Sequence, residues 1–250
     1  MKVEPLRGVA HLAWIPGAAV VGFLASYVFA DRTTLPVDLY YLVYFTIVAG
    51  FFAAYVKRTE LELREWLFRR LAAGLLLGVI VGALLAANVM SRPPTEPLTG
   101  GLFWWALLWR GLVYGMADGL LLLAFPWIVA WRAFGAEEAG LRSKLAASGV
   151  GWVGVLAVTT AYHLGYGDFR SSKILQPNVG SAIGAVATLA TASPVASPIA
   201  HVFLHVAAVV HTPHTDLYLP PHRLPESTGL AVRTARRSAG ALFRGGSDPN

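Results

Sequence analysis

Long apolar stretches separated by short polar, basic segments dominate the pattern of hydrophobic and polar positions along the chain. A helix needs about 20 mostly apolar residues to cross a bilayer. Five windows of this kind follow one another, at 8–30, 35–56, 71–90, 101–131 and 145–164. Two shorter windows, 179–192 and 195–210, are interrupted by Pro194 and Pro198, as is typical of broken helices within a bundle. The pattern predicts an all-α, polytopic membrane bundle of six to seven transmembrane helices with short, broken C-terminal helices.

The fourth window, 101–131, is too long for a simple crossing. As one helix it would extend about 46 Å at 1.5 Å per residue, whereas the hydrocarbon core is about 30 Å thick. It also contains Arg110 and Asp118. We therefore expect a half-embedded helix as far as Arg110 that continues into a full span ending near Trp131.

Glycine spacing predicts where helices pack closely. Gly74, Gly78 and Gly82 recur every four residues in the third window, which brings them to one face and lets another helix approach. The stretch GLVYGMADG, 111–119, lacks the strand–loop–helix context of a phosphate-binding loop and also predicts helix packing.

Composition supports a membrane protein and excludes other classes. Hydrophobic residues make up 56% of the chain and charged residues 14%, against about 45–50% and 25% in soluble domains. The absence of cysteine excludes disulfides, thiolate metal sites and iron–sulfur clusters. The net charge of +6 is concentrated in basic segments between spans and at the C-terminus. It therefore indicates membrane topology and no nucleic-acid partner.

The basic segments predict an orientation in the cell membrane. The 57–70 segment contains five Lys or Arg and the 132–144 segment three, whereas 91–99 contains only Arg92. Because cytoplasmic segments carry such an excess, we expect both basic segments and the N-terminus in the cytoplasm. The 57–70 segment is expected to be a charged loop that fixes topology; the alternative is an interfacial helix that binds anionic lipid. Residues 1–211 are expected to form the transmembrane domain, and 212–250 a polar, disordered tail on a side that the charge pattern leaves open.

The apolar windows after residue 100 contain five charged or histidine residues: Arg110, Asp118, His163, His201 and His205. Such residues are costly in a membrane and mark cavities or buried polar networks. His201 and His205 share a helical face, a spacing common both to metal ligands and to histidines that hydrogen-bond to neighbouring helices. Asp118 lies about 12 Å along the axis from Arg110, so we expect it to meet another helix, such as one bearing a histidine. We take His163, His201, His205 and Asp118 as hypothetical ligands of a divalent metal such as zinc.

Three stretches occur in an order that carries a family resemblance. WALLWRG ends in Arg110 and Gly111, TTAYH ends in His163, and SPIAHVFLH contains His201. Over about 100–211 the chain resembles the CAAX-protease and bacteriocin-processing family of intramembrane proteases. That family carries Glu-Glu-x-x-x-Arg, Phe-x-x-x-His and His-x-x-x-Asn/Asp motifs on successive membrane helices. The resemblance implies catalytic roles for His163, His201 and Arg110.

The chain departs from the family pattern at positions that matter for chemistry. Trp105 and Ala106 stand at the two Glu positions, Thr159 at the Phe position and His205 at the final Asn/Asp position. Since water activation needs a base or a metal, the departures predict a non-catalytic or altered member. Such a member would bind lipid, a peptide or another membrane protein in the bilayer. Two alternatives are an active peptidase assisted by a metal or an acid, and a haem- or metal-binding membrane protein.

Overall fold

A computed structural model describes residues 8–215 and 217–222, and within that part of the chain all regular structure is helical. Its helices are α1 (Ala10–Arg32), α2 (Val37–Thr59), α3 (Leu63–Phe68), α4 (Leu71–Met90), α5 (Gly100–Ala133), α6 (Leu141–Leu164), α7 (Leu175–Thr191) and α8 (Ala196–His211). Helices α1, α2, α4, α5 and α6 are each long and apolar enough to cross a membrane. The predicted all-α membrane bundle is confirmed.

Helix α5 is the central element of the bundle. It runs unbroken through 34 residues, and 78% of its most apolar window is buried, against 28–39% in the other four long helices. Two stretches of wider, π-type turns, Leu107–Val113 and Leu120–Ala124, continue the helix. The fourth apolar window is therefore a single helix. Its second half, which contains Asp118, is enclosed by neighbouring helices, whereas Trp104, Trp105 and Leu108 in its first half are exposed.

The two short C-terminal helices each run between the same two ends of the bundle. We call the end with segments 57–70 and 132–144 the basic face, and the end with segments 91–99 and 165–174 the far face. At the basic face, where α7 ends, Arg70 Nη1 donates to the Thr191 carbonyl (3.2 Å). At the far face, where α8 ends, His211 Nε2 donates to the Arg92 carbonyl (2.8 Å). Helices α7 and α8 are therefore antiparallel, and seven of the described helices connect the two faces.

Helix α8 packs on α4 through a ridge of glycines. A Cβ added at Gly78 would lie 2.7 Å from the Ala196 carbonyl oxygen, and one added at Gly82 would lie 2.8 Å from the Phe203 ring. These distances are shorter than van der Waals contact, so the two backbones approach as closely as glycine allows. The prediction that these glycines admit a neighbouring helix is confirmed for Gly78 and Gly82, whereas Gly74 lies against Ser193 and Val195, just before α8 begins.

The other side of α8 packs on a second glycine ridge, which lies on α5. Added Cβ atoms at Gly115 and Gly119 would lie 3.2 Å from His205 Cβ and 2.9 Å from His201 Cβ respectively. Gly111 continues the same spacing and lies against the next turn of α8. The ridge therefore brings the histidine face of α8 directly onto the helix that carries Asp118.

Residues that follow α8 fold back over the far face. The Tyr41 hydroxyl donates to the Pro220 carbonyl (2.6 Å), and Leu219 is buried against Val89 and Val209. This first part of the predicted tail is thus packed, because its apolar side chains and a free carbonyl find partners on the bundle. Residues 223–250, the rest of the region expected to be disordered, lie outside the described residues.

Candidate metal centre

Three ionisable side chains from two helices meet inside the bundle. His201 Nε2 donates to Asp118 Oδ2 across 2.8 Å, and His205 Nε2 lies 3.6 Å from the same oxygen. One potential ligand atom from each of the three residues lies within 4.8 Å of the others, and all three residues are buried. Asp118 thus meets a histidine of another helix, as predicted. It lies too far from Arg110 along α5 for a direct pair between them.

The His205 ring lacks the partners that a buried imidazole normally has. Among the described residues, neither of its ring nitrogens makes a hydrogen bond, and 3.6 Å to Asp118 Oδ2 is too long for one. Leaving a buried polar group unsatisfied costs about 1–3 kcal/mol. A cation held between the three side chains would give this nitrogen a partner, so the unpaired ring fits a metal site.

A tyrosine orients the carboxylate. The Tyr44 hydroxyl, from α2, donates to Asp118 Oδ1 across 2.7 Å. The other oxygen, Oδ2, is left for the two histidines. Outer hydrogen bonds of this kind fix the orientation of metal ligands.

Further buried tyrosines surround this contact and were not anticipated from the sequence. The Tyr40 hydroxyl bonds to those of Tyr166 (2.6 Å) and Tyr162 (3.1 Å), and Tyr114 bonds to Tyr162. The Tyr44 and Tyr162 rings lie 5.3 Å apart, which joins this hydroxyl cluster to the Asp118 contact. A signal was available: Tyr162 and Tyr166 are one turn apart and flank His163, and buried tyrosine hydroxyls need partners.

His163 lies on the same cavity but outside the ligand cluster. Its Nδ1 donates to the carbonyl of Thr159, one turn back on α6 (2.8 Å). Its ring packs against Phe169 (5.1 Å between centroids) and His222 (5.8 Å). The structure therefore brings together three of the four hypothetical ligands, Asp118, His201 and His205, and leaves His163 on another part of the wall.

Arg110 is not placed with the histidines. Its Nε and Nη2 donate to the two carboxylate oxygens of Asp38, on α2, across 2.9 and 3.2 Å. Trp105 Nε1 donates to the same carboxylate (3.1 Å). The resemblance implied a catalytic Arg110, but this side chain forms a partly exposed ion pair near the far face, about two turns of α5 from Asp118.

We expect Arg110→Gln to leave the metal content of the purified protein unchanged and to lower its thermal stability slightly. A partly exposed ion pair contributes about 0.2–1 kcal/mol, and the carboxylate of Asp38 stays accessible to solvent. Calorimetry and metal analysis of Arg110→Gln, Asp38→Asn and the double variant measure both effects. Loss of metal in Arg110→Gln but not in Asp38→Asn would show that the guanidinium itself, and not its ion pair with Asp38, supports metal binding.

A cavity of about 470 Å³ opens beside the ligand cluster, in the half of the bundle nearer the far face. Asp118, His201 and His205 all lie on its wall. Most of the remaining wall comes from α4, α7 and the 217–222 segment, and the described members include Leu84, Leu85, Asn88, Val179, Ser181, Ile183 and Tyr218. The three side chains therefore border a cavity with a largely apolar wall.

The donor set determines what chemistry this centre can support. Two imidazoles and one carboxylate suit zinc, and also ferrous iron. If these three residues held a zinc ion, they would leave a position for water or a substrate oxygen, as catalytic zinc sites do and structural zinc sites do not. Comparisons of the chain with protein-family models, with curated proteins and with solved structures find no match.

Proposed function

We propose that the protein is an integral membrane metalloprotein that holds a divalent ion on Asp118, His201 and His205, with zinc as the preferred ion. The observation that carries this proposal is a buried His205 ring, neither nitrogen of which has a hydrogen bond among the described residues, beside an Asp–His pair. A bound zinc ion would supply a water-derived nucleophile and a Lewis acid for a carbonyl or phosphoryl oxygen. The protein's role is then metal-assisted hydrolysis inside the membrane.

The relationship to intramembrane CAAX-type proteases belongs to the same proposal, with altered roles for the residues. Trp105 and Ala106, at the family's Glu positions, carry no base. Asp118 takes the place of a Glu beside His201, and His205 adds a second imidazole. In support, His163 and His201, which match two of the family motifs, line one cavity. The chain is then an altered member whose hydrolytic chemistry depends on a metal.

The donor geometry favours a single ion over haem. His201 and His205 are one turn apart on the same helix, and both Nε2 atoms lie near one carboxylate oxygen. Axial haem ligands bind iron from opposite faces of the porphyrin. Two imidazoles held on one side of an ion by a single helix cannot both serve as axial ligands of one haem, so this pair favours a non-haem ion.

The shared position of the basic segments supports a proposed orientation in the membrane. Arg132 Nη2 donates to the Thr59 carbonyl (2.7 Å), and Arg69 pairs with Glu137, so both basic segments lie at one face. The excess of Lys and Arg there supports a cytoplasmic basic face. The cavity would then lie in the extracytoplasmic half of a cell-membrane protein.

Metal analysis tests the assignment directly. We expect the wild-type protein, purified without chelators, to carry one divalent ion per chain and to melt at a lower temperature after chelation. Ligand binding to the folded state stabilises it by about 2.7 kcal/mol at a hundredfold excess over the dissociation constant, so added zinc should restore the transition. Magnesium serves as the control, because it prefers oxygen ligands.

Activity is measured on the protein before and after chelation. Prenylated peptide and phosphatidylglycerol vesicles are incubated with metal-loaded and metal-depleted protein, and products are identified by mass spectrometry. We expect cleavage of one probe by the loaded protein alone. A transition that is insensitive to both chelation and zinc, in a protein that contains no stoichiometric metal, would overturn the proposed function.

A further inference from the structure

The far-face end of the cavity is covered by the chain itself. Tyr218 and Pro220 lie on the cavity wall, and Pro220 is held by the Tyr41 hydroxyl. Asn88 Nδ2, on α4, donates to the Tyr218 hydroxyl across 3.3 Å. Direct entry from water at this end is therefore obstructed by the 217–222 segment.

The side of the cavity between α4 and α7 faces out of the bundle. Near the middle of α7 the two helices touch, since a Cβ added at Gly184 would lie 3.7 Å from Leu85 Cδ1. One turn nearer the far face, a Cβ added at Gly180 would meet nothing within 4 Å. Leu84 and Val179 border this gap and are 62% and 58% exposed. Because α4 spans the membrane, the gap faces lipid chains; we call it the lateral slot.

An arginine side chain lies at the far-face end of the lateral slot. Arg92 lines the cavity just after α4 ends. Within the described part of the chain its guanidinium forms no ion pair. The amide of Gln176 lies on the opposite wall of the same cavity. An apolar slot that ends in an unpaired arginine at membrane-surface depth complements an amphiphile with an anionic head.

We propose that the lateral slot admits an anionic phospholipid from the surrounding leaflet. Its phosphate binds at Arg92, and an acyl chain lies between Leu84 and Val179, on the route to Asp118 and His201. This names a substrate class for the proposed metal centre and so rests on the proposed function, although lipid binding itself requires no metal. The slot faces the lipid from which this ligand comes, whereas the aqueous end is covered.

Lipid titration of the purified protein tests the slot. Phosphatidylglycerol and phosphatidylcholine with identical chains are titrated in detergent, and bound lipid is counted by native mass spectrometry. We expect about a tenfold preference for phosphatidylglycerol in the wild type, the size of one charge-assisted contact, and a loss of that preference in Arg92→Gln. Arg32→Gln is the control for a surface arginine at the same face, because Arg32 ends α1, is 64% exposed, pairs with Asp31 and lies outside the cavity.

A second pair of variants blocks the slot without changing charge. Val179→Trp should exclude both lipids, whereas Val186→Trp, on the same helix at a position 47% exposed and outside the cavity, should not. Equal effects of Arg92→Gln and Arg32→Gln, or unchanged phosphatidylglycerol binding in Val179→Trp, would overturn the inference. Metal is measured in the same samples. Bound metal without lipid preference overturns only the slot, and lipid preference without metal supports the slot while overturning the proposed function.

Discussion

Replacing His205 by phenylalanine is expected to lower metal affinity by more than about 100-fold. Removing a group that only hydrogen-bonds to a metal ligand already costs about 10- to 100-fold, and this substitution removes a ligand itself. The substitution keeps an aromatic ring in the space that the imidazole fills. It also removes two buried nitrogens that have no hydrogen-bond partner among the described residues. The chelated variant should therefore be as stable as the chelated wild type, or more stable, because no hydrogen bond is lost and an unsatisfied polar group disappears.

His163→Phe is the matched control for this experiment. His163 lines the same cavity, but its Nδ1 is bonded to the Thr159 carbonyl, so we expect its variant to keep the metal. Tyr44→Phe should fall between the two, since it removes only the hydrogen bond to Asp118 Oδ1. Inductively coupled plasma mass spectrometry gives the metal content of each variant, titration calorimetry its zinc affinity, and scanning calorimetry its stability. Equal metal contents in His205→Phe and His163→Phe would contradict the assignment of ligands.

The positions of the long helices were accessible from the sequence, because spanning a membrane demands length and apolarity. The third window, 71–90, coincides with α4, and its glycines were predicted to contact another helix. The distance from Arg110 to Asp118 along one helix also excluded a direct pair, which left Asp118 to find a partner elsewhere. These inferences depend only on helical geometry and on the cost of unpaired charge.

Which helices are neighbours was not accessible in the same way. All faces of a membrane helix are apolar, so hydropathy does not distinguish its lipid side from its protein side. Asp38 is the second residue of α2, and its position in the sequence suggests only a polar residue at the end of a membrane span. The structure shows that it pairs with Arg110 of α5. His163 matches a family motif, but its own helix supplies the carbonyl that satisfies it. The close pairing of α8 with both α4 and α5 decided which histidines meet Asp118.

The glycine ridge on α4 is expected to make the protein sensitive to any larger side chain at Gly78. We expect Gly78→Leu to destabilise the protein by about 3 kcal/mol or more, at the upper end of measured overpacking, because its Cβ alone would lie 2.7 Å from a backbone oxygen of α8. Gly50→Leu is the matched control, since a Cβ at Gly50 on α2 meets nothing within 4 Å. Calorimetry on both detergent-purified variants measures the difference.

Gly78→Ala keeps the experiment informative if the leucine variant does not fold, because the added Cβ is the same atom. Its stability should fall while that of Gly50→Ala holds or rises, as alanine favours the helix. Equal transitions for the two alanine variants would show that α8 does not lie against this ridge. Displacing α8 also moves His201 and His205 away from Asp118, so Gly78→Ala should lose metal affinity and metal-free stability together. His205→Phe, by contrast, should lose only the metal, and this difference separates the packing of α8 from the chemistry that it carries.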